Sequence, residues 1–123
     1  MKIRYQDITE FVTRDGSFIR ELMHPGQHAQ QTGSAKQSLA EATVLPGIST
    51  RLHRHHRSEE LYHITVGQGR MTLADDDFDV VVGDTVCIPP GTPHCIKNTG
   101  DRELKILCCC TPAYADDDTE LLE

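Results

Sequence analysis

No run of about 18 apolar residues occurs anywhere in this 123-residue chain, so its sequence offers no membrane-spanning helix. The opening stretch, MKIRYQDITEF, lacks the charged-then-apolar pattern of a secretory leader, and a cytoplasmic location is the expectation. Basic residues are few: 12 Lys and Arg stand against 19 Asp and Glu, a formal charge of −7. That balance argues against a nucleic-acid partner, because little positive charge is available to neutralise phosphates. A disulfide framework is also excluded, since the five cysteines are odd in number and three of them are consecutive, Cys108 to Cys110. Reduced thiols fit a reducing compartment. Internal repeats, linkers and long amphipathic helical patterns are missing too, which leaves one domain of ordinary size.

What the chain does contain is strand signal. Short alternating apolar runs recur between Gly, Pro and Asp breakers at Ser17–Met23, Ser38–Leu45, Ser49–His55, Glu60–Val66, Gly69–Ala74, Phe78–Val82, Thr85–Ile88, His94–Asn98 and Leu104–Cys110. The expected architecture is all-β, a compact antiparallel sandwich or barrel. Residues 1–37 supply N-terminal strands and a polar loop, 38–110 the barrel core, and 111–123 an acidic C-terminal tail. The polar, Gln-rich stretch 24–37 is expected to lie over one mouth of the barrel.

Four of the seven histidines fall within RLHRHHRSEELYHITVGQG, from Arg51 to Gly69. On a strand, His53 and His55 share a face about 6.6 Å apart, close enough for two imidazoles to hold one ion. The intervening HRSE allows a turn that returns Glu60 on a neighbouring strand, adding a hard oxygen donor. Downstream, Pro89, Pro90, Gly91 and Pro93 constrain the turn before His94 and aim its ring. Three imidazoles and one carboxylate suit a divalent first-row metal with open positions, a catalytic style of site rather than a closed structural one.

These residues carry a resemblance. Gly47, His53, His55, Glu60 and Gly67 are similar to the first cupin motif at every spacing; Gly83, Pro89, Gly91, His94 and Asn98 are similar to the second. The resemblance spans residues 47–98 and implies a single-domain, antiparallel double-sheet jelly-roll β-barrel of the small bacterial type. It implies one divalent metal ion (Mn, Fe, Ni, Co or Zn) on His53, His55, Glu60 and His94, and a homodimer. Glu60 is preferred to Glu59 because six residues separate it from Gly67, and because it shares a face with Tyr62, Ile64 and Val66.

Other residues admit two readings. Tyr62 points to the side of Glu60 and is either a proton-transfer group or interior packing. Arg51 has the parity of His53 and is either a substrate contact inside the barrel, favouring carboxylate or phosphate, or a rim residue with its charge in solvent. Glu41 reads as a solvated strand residue; His56, Glu59 and His63 read as lying away from the metal, and His24 and His28 as surface residues. Leu104, Ile106, Cys108 and Cys110 share a face and read as core packing. The Asp75–Asp77 and Asp116–Asp118 runs read as a turn and a tail.

The expected function is metal-dependent Lewis-acid catalysis of isomerase, lyase or decarboxylase type on a small carboxylate, sugar or sugar acid. An Fe(II) dioxygenase is the first alternative. A non-catalytic module that binds or senses a metal or small ligand is the second.

Overall fold

The computed structural model describes residues 2–26 and 35–123. His28 and much of the 24–37 loop lie outside the described residues. The strands are β1 (Phe11–Val12), β2 (Phe18–Met23), β3 (Ser38–Val44), β4 (His53–His55), β5 (Glu59–Val66), β6 (Gln68–Leu73), β7 (Asp76–Val81), β8 (Thr85–Ile88), β9 (His94–Asn98), β10 (Leu104–Thr111) and β11 (Thr119–Leu121). One sheet runs β1-β2-β3-β10-β5-β8 and the other β11-β4-β9-β6-β7, with antiparallel pairing throughout. This is the double-sheet jelly roll that the alternating runs imply.

Alternation builds the interior. Along β5 the buried positions are Glu60, Tyr62 and Ile64, and along β10 they are Leu104, Ile106, Cys108 and Cys110. Register then sorts these side chains into tiers. Ser38, Cys110, Glu60 and Ile88 are cross-strand neighbours at one end of the first sheet; Ala42, Ile106 and Ile64 align further down. The second sheet has the same gradient, with His53 opposite His94 and Leu73 at one end and Ile96 opposite Met71 below them. The lower tier is the apolar core: Ile64, Met71, Ile96, Leu104 and Ile106 are fully buried, each contributing roughly 1.5–3 kcal/mol. In the upper tier small residues (Ser38, Ala40, Cys108, Cys110) face the histidines, and their small volume leaves a cavity.

The motif residue Asn98 ties the closed end together. Its Nδ2 donates to the Val44 and Arg102 carbonyls, both at 2.8 Å, and its Oδ1 accepts from Gly100 N at 2.9 Å. Asn98→Ala is expected to lower stability by about 2–4 kcal/mol, read by urea unfolding, because buried partners lose their hydrogen bonds. An unchanged midpoint would show that this tie contributes little.

Two expectations need correction. The strand placed at Ser49–His55 starts only at His53. Thr50 Oγ1, not a backbone carbonyl, accepts from Ile96 N at 3.0 Å, which interrupts the ladder and breaks the parity between residue 51 and residue 53. The acidic tail is also no tail. Thr119, Glu120 and Leu121 pair with His55, Arg54 and His53 as an edge strand beside β4.

Candidate metal centre and cavity

His53 and His55 come from β4, Glu60 from β5 and His94 from β9, so both sheets contribute. Each histidine is buried, and one ring nitrogen from each lies within 4.8 Å of the others. Glu60 Oε1 is 3.2 Å from His55 Nε2 and 3.5 Å from His94 Nε2.

The other ring nitrogens fix the tautomers. His53 Nδ1 faces the Arg51 carbonyl at 2.7 Å and His94 Nδ1 faces the Thr92 carbonyl at 2.9 Å. A carbonyl only accepts, so both rings donate from Nδ1. His55 Nδ1 lies 3.0 Å from Thr119 Oγ1, whose own proton goes to the Ala115 carbonyl, so this ring donates too. The Nε2 atoms of His55 and His94 therefore turn toward Glu60 Oε1, and that of His53 lies 3.7 Å from Asp15 Oδ2. His94 Nε2 and Glu60 Oε1 are buried without a hydrogen-bond partner. Convergent buried acceptors with no donor among them fit a cation.

Charge supports the same conclusion. Burial pushes the Glu60 carboxyl up; with protons on His55 and His94 Nε2, hydrogen bonding and charge from those rings outweigh burial and hold it at about 2, and with Nε2 bare a cation must supply that positive charge instead. Positive charge between these groups is what keeps the carboxylate ionised. Burial, and then the charge on His94, push His53 down toward its neutral form. With ring centroids of His53 and His94 only 4.2 Å apart, one shared ion satisfies the set better than several imidazolium rings do.

His53, His55 and Glu60 line a cavity of about 50 Å³ that opens to solvent. Tyr62 lines it, buried beside His94, and burial, then the charge on Glu60, hold its phenol well above the usual range, hence protonated. Cys108 and Cys110 line it as well, so they do more than pack the core; the Cys110 thiol donates to Glu60 Oε2 at 3.3 Å and leaves Oε1 for the centre.

Arg51 does not line the cavity. It is exposed, and its Nη2 donates to the Glu123 carbonyl at 2.7 Å, so of its two readings the rim residue agrees with the structure and the substrate contact inside the barrel does not. Glu41 lies on the outer side with Tyr5, whose hydroxyl donates to it at 2.6 Å. His56 pairs with Glu120 and His63 with Thr85, both exposed, as their parity implies. His24 is partly buried, 2.7 Å from the Tyr114 carbonyl, rather than a surface residue.

Sequence reasoning missed the wall that the segment at and before β2 adds beside the histidines. Asp15, Ser17, Ile19 and Glu21 form one alternating row at and before β2, all facing the cavity. Their parity is visible in DGSFIREL, but nothing in a single sequence says which side of that run is inside. It also missed the support from the C-terminal segment. Asp118 accepts from Arg57 N at 3.0 Å and from Ser58 N at 3.1 Å, bracing the turn between His55 and Glu60.

Comparison with known proteins places this geometry. A family model described as a cupin domain matches residues 40–110. An uncharacterized protein of Methanocaldococcus jannaschii is 51% identical over 123 residues, 100% of this chain and 95% of that one. An oxalate-binding protein of Thermotoga maritima is 36% identical over 62 residues, 50% of this chain and 51% of the relative. Among solved structures, oxalate decarboxylase from Bacillus subtilis superposes with a TM-score of 0.83 at 23% identity, over 99% of this chain and 32% of the enzyme. That last likeness concerns the fold.

Proposed function

The chain belongs to the cupin family, and from that membership we propose that it is a metal-dependent enzyme holding one divalent ion on His53, His55, Glu60 and His94. The observation that carries the proposal is the cluster of three buried histidines, one ring nitrogen of each within 4.8 Å of the others, with Glu60 Oε1 beside two of them and, like His94 Nε2, buried without a hydrogen-bond partner. When bound, such an ion supplies Lewis acidity to an oxygen of a small hydroxylated carbonyl or carboxyl compound. The reaction class is isomerisation, lyase chemistry or decarboxylation.

The chain's own groups divide the proton work. Tyr62, protonated because it is buried, donates to an oxygen on which negative charge develops. Asp15 Oδ2, 3.7 Å from His53 Nε2, is the carboxylate oxygen not engaged by Thr13 or Ser17 and accepts a proton or a hydroxyl hydrogen bond. The buried walls keep water from the reacting atoms.

The test is elemental analysis of the purified protein followed by a turnover screen with and without a chelator. About one divalent ion per chain and chelator-sensitive turnover support the proposal, whereas metal-free protein that turns a substrate over contradicts it. Tyr62→Phe is expected to retain the metal and lose about 10²–10⁴-fold in kcat. Unchanged kcat would reduce Tyr62 to packing.

Binding without turnover is a second reading, favoured by the name of the Thermotoga maritima relative. Pairing of two copies is part of the proposal: Leu39, Cys109, Leu61 and Cys87 lie side by side across β3, β10, β5 and β8, and the two leucines are exposed on the outer face. The cytoplasmic location likewise stands as a proposal; no helix among the described residues is long and apolar enough to cross a membrane.

A further inference from the structure

The cavity carries a charge pattern that narrows its ligand. Its lining includes three acids, Asp15, Glu21 and Glu60, and no lysine or arginine among the described residues. Arg51, whose parity left an inward placement open, directs its guanidinium to the Glu123 carbonyl instead. The proposed divalent ion is the one positive charge near this space among the described residues, and the Glu60 and Asp15 carboxylates together already balance it, so a further buried anion meets desolvation with little net attraction to offset it.

Asp15 is built into this wall rather than lying there loosely. Its Oδ1 accepts from Thr13 Oγ1 at 2.8 Å, Ser17 N at 2.9 Å and Ser17 Oγ at 2.7 Å. Its backbone carbonyl accepts from Arg51 N at 2.8 Å, which pins the hairpin to the ligand strand. One oxygen is thus fully engaged, and Oδ2 is left facing the ligand cluster. Six residues along the same row, Glu21 is only 4% exposed, and its Oε2 has no hydrogen-bond partner. A second, independent acid therefore faces the same space with unused hydrogen-bonding capacity.

We infer that the cavity takes an uncharged polyhydroxy carbonyl compound, of the aldose or ketose class, and discriminates against carboxylates and phosphates. The inference rests on the metal-binding reading and names the substrate class of that site. A ligand whose carbonyl or hydroxyl oxygen reaches the centre presents its remaining hydroxyls to Asp15 Oδ2 and Glu21 Oε2, satisfying acceptors that otherwise have none. A sugar acid or sugar phosphate of the same length brings a negative charge to that wall. The sugar-acid and carboxylate substrates open at the sequence level, and decarboxylation with them, are thereby set aside in favour of isomerisation or lyase chemistry.

The test uses Mn(II)-saturated full-length protein and calorimetric titration with two probes, oxalate and D-fructose, in the parent and in Asp15→Asn. The amide is isosteric and keeps an acceptor for the Thr13 and Ser17 donors, so the hairpin is retained; circular dichroism checks this. Oxalate is expected to bind the variant at least about tenfold tighter than the parent, because a full charge near the ion is removed. D-fructose is expected to bind no tighter in the variant. Equal oxalate affinity in parent and variant overturns the inference, as does an equal gain for both probes. Metal content is read separately by elemental analysis, so failure of the metal reading and failure of this inference give different results.

Discussion

His94→Ala is expected to lower divalent metal affinity by more than about 100-fold while leaving the two sheets folded. The magnitude follows from position. His94 is wholly buried, its Nε2 has no other partner, and it is the only ligand delivered by β9. Losing a group that merely orients a ligand costs about 10–100-fold, so losing the ligand itself exceeds that range. The fold should survive because the apolar tier of Ile64, Met71, Ile96, Leu104 and Ile106 lies below the ligands and keeps its contacts. His53→Ala should behave in the same way. Elemental analysis with a far-ultraviolet circular dichroism spectrum checks both, and full metal content in either folded variant would remove that residue from the site.

Thr119→Val should weaken metal binding by about 10–100-fold although residue 119 lies 64 positions from His55 in sequence. Valine matches threonine in shape but cannot accept the His55 Nδ1 proton. The ring would then lose the partner that sets its tautomer and orientation. The hydroxyl is placed by β11, which pairs with β4, and by Asp118, which braces the turn that follows His55. A metal titration of the variant measures the effect. Parent-like affinity would show that β4 orients His55 without help from the C-terminal strand.

These two predictions differ in how much of them the sequence displays. His53, His55, Glu60 and His94 can be read from two motifs with fixed spacing, because ligand geometry demands particular residue types on particular strands. The alternating runs of β5, β8, β9 and β10 are legible for a similar reason: a half-buried strand must place apolar residues at every second position. Thr119 is hidden, since DDDTELLE is charged and short, and only pairing with β4 makes it a strand. The inward reading of Arg51 fails because parity holds only along an unbroken ladder, and the Thr50 side chain interrupts that ladder three residues before His53. Asp15 and Glu21 could be found only with the barrel closed, when β2 turns one face toward the histidines.

Gly67 shows how a motif residue can be structural rather than chemical. Its φ is +83°, and a Cβ there would sit 2.6 Å from the Glu103 carbonyl oxygen. The glycine lets β5 turn into β6 against the start of β10, which holds Glu60 in register with Cys110 at the other end of the strand. The spacing between Glu60 and Gly67 is thus a strand length: the carboxylate at one end and the turn at the other.

The central claim is that four buried acceptors, His53, His55, Glu60 and His94, form one divalent metal site. Titration of chelator-treated protein with Co(II), followed by visible absorption, tests it most directly. The account predicts saturation at about one ion per chain in the parent and no saturable signal in the His53→Ala/His94→Ala double variant. A parent that binds no Co(II), or a double variant that binds it as the parent does, would contradict the account.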